Sequence, residues 1–292
     1  MRELVQKLKK YEIKIRKAIN SQMQGEFNSI FRGSGLEFDD IRPYQYGDDI
    51  RSIDWRTTAK YNQTYVKQYK ETKEQSIFFL VDLSGSQDIG NPGKKKVDIV
   101  KEICAVLSMV ALKESSRVGL ITFTDQKESY VKACKGNQHA YEIISALFDR
   151  PPVSTKTDLS KGLAFALNTI KRRSIVIVIS DFIDEGYEHN LKAMAKRHDL
   201  VIIHVNDKQE TNIPGLGIIP VVDKETHHKK WVNTSAITFR NSINHTYHTT
   251  KDNLTSFCKK HQINYLNIHT DEDYSLRLIK LFKVRNRSVK RV

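Results

Sequence analysis

Four nearly uninterrupted apolar runs constrain this chain more than any other feature. They are Ile77-Phe78-Phe79-Leu80-Val81, Val118-Gly119-Leu120-Ile121-Thr122-Phe123, Ile175-Val176-Ile177-Val178-Ile179 and Leu200-Val201-Ile202-Ile203-His204-Val205. A strand with one wet face alternates apolar and polar residues. A run without that alternation is buried on both faces, as in a parallel sheet covered on two sides. The stretches between the runs carry a helical period. Val97, Val100, Ile103, Cys104, Leu107 and Ala111 fall on one face, as do Leu159, Leu163, Ala166, Leu167 and Ile170. Further helices are expected from Ala140 to Phe148 and from Asn190 to Arg197. The fold class expected is therefore α/β, a doubly wound and mainly parallel sheet.

The rest of the chain divides by texture. Leu4, Leu8, Tyr11, Ile15 and Ile19 space out an amphipathic helix, assigned to residues 1–23. Residues 24–75 mix glycine, aromatic and charged residues without helical period. They read as a small β-rich segment, with Tyr65-Val66-Lys67-Gln68-Tyr69 as a strand and turns at Gly33-Ser34-Gly35 and Gly47-Asp48-Asp49. The α/β domain is assigned to residues 76–283. It is interrupted over 207–250 by Pro214, Gly215, Gly217 and Pro220, with a short hairpin around Lys230-Trp231-Val232. A helix from Asp252 to His261, a strand Tyr265-Leu266-Asn267-Ile268 and a helix from Asp273 to Lys283 complete it. Residues 284–292 are assigned to a basic tail.

The chain has 292 residues and a formal net charge of +14, with basic residues concentrated at both ends. A surplus of this size invites a nucleic-acid or anionic-surface reading, but no RNA-binding aromatic signature or zinc-finger spacing accompanies it. Solvated basic faces that meet an acidic partner are the better reading, and nucleic acid is not the expected ligand. No apolar run reaches the roughly 18–20 residues that cross a bilayer. The start, Met1-Arg2-Glu3-Leu4, lacks the apolar core of a secretion signal. Cys104, Cys134 and Cys258 are widely separated and odd in number, which points to a reducing, cytoplasmic setting rather than a disulfide framework.

In an open parallel sheet, ligands bind at the carboxyl ends of the strands. Three loops expected there carry oxygen donors. The first strand runs into Asp82-Leu83-Ser84-Gly85-Ser86, Thr157-Asp158 precede the helix at Leu159, and the third strand ends in Ser180-Asp181. Carboxylates and hydroxyls without thiolate or imidazole suit a hard cation, Mg²⁺ or Mn²⁺. Each piece has a plainer explanation when taken alone. Asp-x-Ser-x-Ser occurs in turns and caps, Thr157 or Asp158 can cap a helix, and Asp181 could simply end a strand. Their joint order at the ends of the right elements favours a metal site.

These residues resemble the von Willebrand factor A domain. Asp82-x-Ser84-x-Ser86, then Thr157 and Asp181, match the metal-ion-dependent adhesion site of that family at all five positions. The resemblance implies Mg²⁺ held mainly by Ser84, Ser86 and Thr157, with Asp82 and Asp181 acting largely through water. It also implies one position left for an acidic residue of a partner protein. The preceding segment narrows this further. Gly33-x-Gly35-x-x-Phe38, Arg42-Pro43-Tyr44, Gly47-Asp48-Asp49, Arg51 and Ile53-Asp54-Trp55 are similar to the bacterial family called domain of unknown function 58, as is Thr270-Asp271-Glu272-Asp273-Tyr274. That resemblance implies a role with a MoxR-type AAA+ ATPase or its client, and a short form without membrane helices.

Within the family segment, Arg42, Arg51, Asp48, Asp49 and Asp54 could pin it to the sheet by charge-assisted bonds, with Trp55 and Tyr44 adding apolar area. The structural reading is the better one, and a partner-binding role for the same residues is the alternative. His227-His228 and the His245/His248 pair lack a zinc motif, and Asn91-Pro92-Gly93-Lys94-Lys95-Lys96 lacks the phosphate-loop spacing. That basic stretch reads as a turn into a helix. The reading that follows is a non-enzymatic, metal-dependent protein-binding module. The enzymatic alternative is a phosphotransferase or phosphatase with Asp82 as nucleophile, but it needs a second Asp two residues on, where this chain has Ser84. Nucleic-acid binding through the basic termini is the third class.

Overall fold

The computed structural model describes residues 34–61, 63–73, 76–225 and 228–289, with isolated helical positions at Glu3, Gln6, Lys9, Lys10 and Ile13. Most of the helix expected over 1–23 and the last three residues of the expected tail lie outside the described residues.

β1 (Ser34–Pro43) and β2 (Tyr65–Lys73) form an antiparallel ribbon, with α1 (Trp55–Tyr61) between them. Residues 24–33 lie outside the described residues, and the rest of the segment expected over 24–75 is β-rich with three differences. Ser34 and Gly35, expected in a turn, begin β1. A short helix covers Trp55–Tyr61, and Trp55 is 67% exposed where apolar burial was expected. Asp54 explains the helix. Its carboxylate accepts from the Thr57 hydroxyl at 2.9 Å and from the Arg56 amide at 3.3 Å, capping the first turn. The charge network is also internal to the segment. Arg42 makes a two-pronged pair with Asp48 at 2.7 and 2.8 Å, and Lys67 approaches Asp54 at 3.9 Å. These pairs fold the segment on itself and do not pin it to the sheet.

The remaining chain builds the expected α/β sheet. β3 (Ser76–Asp82) leads through a minimal hairpin, β4 (Gly90–Asn91) and β5 (Lys94–Lys95), into α2 (Lys96–Lys113) and then β6 (Arg117–Phe123). β7 (Lys127–Cys134) returns antiparallel beside β6. Its alternating burial marks an edge strand with one wet face, a pattern not recognised in the sequence. α3 (Asn137–Phe148), α4 (Leu159–Thr169), β8 (Ile175–Ser180), α5 (Glu188–Arg197) and β9 (Asp199–Asn206) follow. A second small hairpin, β10 (Ile218–Val222) and β11 (Lys229–Asn233), precedes α6 (Ile237–Lys260), β12 (Asn264–His269) and α7 (Tyr274–Val289). α6 starts fifteen residues before the expected Asp252, because only its last turns, at Leu254 and Cys258, reach the core and show the period. α7 runs through Val289, so residues 284–289 extend it instead of forming a separate tail.

The strand order is β12-β9-β8-β3-β6-β7, all parallel except β7. Side chains alternate between two cores. Ile77, Phe79 and Val81 pack under α2, α3 and α7, and Phe78 and Leu80 under α4, α5 and α6. From β3 the chain steps one way to β6 and β7, then crosses to β8 on the other side. That reversal opens the sheet between the carboxyl ends of β3 and β8, the crevice where open α/β sheets place their ligands. All three cysteines are free, and no described helix is long and apolar enough to cross a membrane.

Two buried contacts make this core testable. Gly162 on α4 lies against the fully buried Phe123 ring, and an added Cβ would stand 2.6 Å from it. Gly162→Ala, which helix propensity alone favours by ~1 kcal/mol, is therefore expected to destabilise by ~1–3 kcal/mol through overpacking, read by urea denaturation. His198 and His204 are 2% and 3% exposed, and burial pushes each down to about 4 from the ordinary 6.5. Their neutral forms are selected by folding, so the stability they supply is complete above pH 6.5 and is lost as pH falls toward 4. Up to about 3 kcal/mol per group is at stake. Denaturation midpoints at pH 7.5 and 4.5 should show that loss, and His198→Leu should flatten it.

Candidate metal centre at the switch point

β3 ends in Asp82, which is fully buried. One carboxylate oxygen accepts from the Ser84 amide at 2.9 Å, and the other accepts from the Ser180 hydroxyl at 2.7 Å. The first bond folds the loop back on the strand end, so that the Ser84 and Ser86 hydroxyls meet at 3.0 Å. The second ties β3 to β8. Ser180 Oγ also accepts from the Phe182 amide at 3.0 Å, and Phe182 holds a left-handed φ of 54°. A non-glycine residue there carries strain, offset by burial of its ring between Tyr187 and His204, each 5.8 Å away.

The loop carrying Thr157 is set by a residue the sequence reading missed. Glu128 on β7 accepts from the Val153 and Ser154 amides at 2.9 and 3.1 Å and from the Thr124 hydroxyl at 2.7 Å. The Asp158 amide then donates to the Thr124 carbonyl, and the Asp158 side chain caps α4 through the Lys161 amide at 2.8 Å. Asp158 thus serves as the N-cap, one of the two roles its position allowed, and the adjacent Thr157 hydroxyl donates to the Glu225 carboxylate. Gly85 donates to the Thr155 carbonyl at 2.7 Å, joining this loop to the serine loop. A Cβ at Gly85 would lie within 2.8–2.9 Å of two backbone carbonyls, of Lys224 and Thr155. Only glycine permits that approach.

Asp181 follows β8 and is 1% exposed. Its partner is Lys96 at the start of α2, with Nζ at 2.6 Å. Lys96 is itself fully buried and also pairs with Glu210. Burial works against the ammonium, but the two carboxylates outweigh it and raise its pKa, so Lys96 stays charged. The sequence held a signal for this. Lys96, Val100, Ile103 and Leu107 share the buried face of α2, so a lysine on that stripe needed a buried anion.

The structure therefore gathers Asp82, Ser84 and Ser86 directly and brings Ser180-Asp181 beside them. Thr157 lies two residues beyond Thr155, whose carbonyl holds the serine loop at Gly85. Asp82 is pushed up to about 6, first by burial and then by the neighbouring Asp181 charge. Two buried carboxylates, one of them paired with Lys96, lie beside a pair of converging hydroxyls. Among the described residues no three His, Cys, Asp or Glu side chains gather closely enough to hold a metal ion by themselves, so a cation here would depend on the hydroxyls, which are hard donors. On the β8–β9 side, a cavity of about 670 Å³ lined by Phe182, His204, Glu210 and Tyr247 opens next to Asp181.

Residues 40–253 match the family model described as "Protein of unknown function DUF58", and the chain is a member of that family. An uncharacterized protein of Mycobacterium tuberculosis H37Rv, Rv1480, is 26% identical over 227 residues, 77% of this chain and 72% of that protein. Among solved structures, BatB from Bacteroides thetaiotaomicron is similar with a TM-score of 0.47 and 12% identity, covering 73% of this chain and 99% of that one. The SpRpn10 VWA domain is similar with a TM-score of 0.38 and 14% identity, over 71% and 93%.

The buried charges give a direct test. Lys96→Met leaves Asp181 and Glu210 without their cation and should destabilise by about 3–5 kcal/mol. Adding Glu210→Gln should return part of that loss, and the double-mutant cycle measures the coupling.

Proposed function

We propose that this protein is a binding module that grips an acidic residue of a protein partner through a divalent cation at the β3–β8 crevice. The observation that carries the reading is the convergence of the Ser84 and Ser86 hydroxyls beside two buried carboxylates, with Thr157 on the loop that the Gly85–Thr155 bond joins to theirs. Ser84, Ser86 and Thr157 would hold Mg²⁺ or Mn²⁺, with Asp82 and Asp181 behind them. When bound, the cation supplies an electrophilic centre that seeks a further anionic oxygen, since few of its ligands are charged. Asp82 suits an anchoring role. Both its oxygens are committed to the Ser84 amide and the Ser180 hydroxyl, and it is closed to solvent, which does not favour an attacking nucleophile.

A single metal–carboxylate contact is modest after desolvation, so surrounding surface must add affinity. The net charge of +14 favours an acidic partner and speeds encounter. By family resemblance the preferred partner is a MoxR-type AAA+ ATPase or its client.

In calorimetry, the Asp82→Ala/Ser84→Ala double variant is expected to lose Mg²⁺ or Mn²⁺ binding while keeping its fold. Wild-type-like binding by that variant removes the site assignment. Partner capture from native lysate should need Mg²⁺ and fail with EDTA and in Ser84→Ala and Ser86→Ala. A partner held equally under all conditions rejects the metal bridge.

A further inference from the structure

The β10–β11 hairpin places its tip on the candidate metal centre. Its strands contribute little to the core: Ile218, Val221, Val222 and Trp231 are 67%, 41%, 42% and 69% exposed. The tip behaves differently. The Thr157 hydroxyl donates to the Glu225 carboxylate, and the Thr155 hydroxyl donates to the Glu225 carbonyl at 3.1 Å. The Lys224 ammonium pairs with Asp88 at 2.9 Å, just past the serine loop. The Lys224 carbonyl sits so close to Gly85 that a Cβ there would meet it at 2.8 Å. The hairpin is thus docked on both loops that carry the hydroxyl donors, and it delivers one carboxylate to Thr157.

We propose that Glu225 is the site's built-in acidic ligand, a carboxylate from the same chain that completes the cation's shell until a partner's acidic residue displaces it. This rests on the metal-dependent reading above. The chemistry follows from the donor set. A Mg²⁺ or Mn²⁺ ion held mainly by hydroxyls takes up an anionic oxygen, and Glu225 is already within hydrogen-bond reach of one of those hydroxyls. Supplying the carboxylate within the chain raises its effective concentration far above that of a free competitor. An incoming partner must therefore offer more than one carboxylate contact, which makes the hairpin a filter against stray acidic groups. Most of the hairpin's length is solvated, so releasing its tip exchanges a few polar contacts and exposes no core.

Mn²⁺ is the probe, used with the full chain as wild type, Glu225→Ala, Glu225→Gln and the Ser84→Ala/Ser86→Ala control. Free Mn²⁺ is followed by electron paramagnetic resonance, and the number of exchangeable waters on bound Mn²⁺ by water-proton relaxation. Both Glu225 variants are expected to bind Mn²⁺ roughly 10-fold or more weakly and to gain at least one exchangeable water. Added acetate should lower that relaxation in the variants but not in wild type. Unchanged affinity and water number in both variants, with binding lost in the serine control, overturns the Glu225 assignment and leaves the metal site standing. No Mn²⁺ binding by wild type, or full binding by the serine control, overturns the metal reading and the Glu225 assignment with it.

Discussion

Two carboxylates, Asp82 and Asp181, end adjacent buried strands, and their charges must be compensated in a crevice almost closed to water. Much of the local architecture follows from that requirement. The Ser84 amide and Ser180 hydroxyl serve Asp82, and Lys96 serves Asp181. Each compensation fixes an element: the serine loop folds back, β3 is tied to β8, and the first turn of α2 is drawn to the sheet. Lys96 in turn recruits Glu210, which orders the chain after β9. Electrostatics here selects geometry as much as stability, because a charge left alone in such a place costs several kcal/mol.

The compensation is asymmetric. Asp181 has a tethered cation, whereas Asp82 relies on neutral donors and is raised to about 6 by burial and by Asp181. The side of the crevice without a built-in cation is the side where the serine hydroxyls converge. The Thr157 loop is held by Glu128, bonded to the serine loop through Gly85 and Thr155, and met by Glu225 of the hairpin.

The family segment ahead of the sheet follows a different logic. Among its described residues the ion pairs are internal, and Tyr46, Ile50, Trp55 and Tyr61 are 104%, 68%, 67% and 60% exposed. Aromatic and aliphatic side chains carried on a self-supporting ribbon are what a contact surface needs. The choice left open by its sequence, between pinning and partner contact, tilts away from pinning.

Much of the fold was legible because its signals are local. Runs such as Ile175–Ile179 can be buried on both faces only in a covered parallel sheet, and the Asp-x-Ser-x-Ser spacing sits where such strands end. Edge strand β7 and the solvated first turns of α6 were missed because partial burial weakens periodicity. The five candidate site residues came from motif and position, each legible from its own neighbours. Lys96, Glu128, Glu210 and Glu225 were not, since each meets a partner far along the chain: 85 positions separate Lys96 from Asp181, 25 separate Glu128 from Val153, and 68 separate Thr157 from Glu225. Layers and donor types are readable from the amino-acid order alone, because burial pattern and side-chain chemistry are properties of each segment. Which charges compensate one another, and which hairpin meets the Thr157 loop, emerges only in the folded chain, because Coulomb energy depends on distance in space and not along the chain.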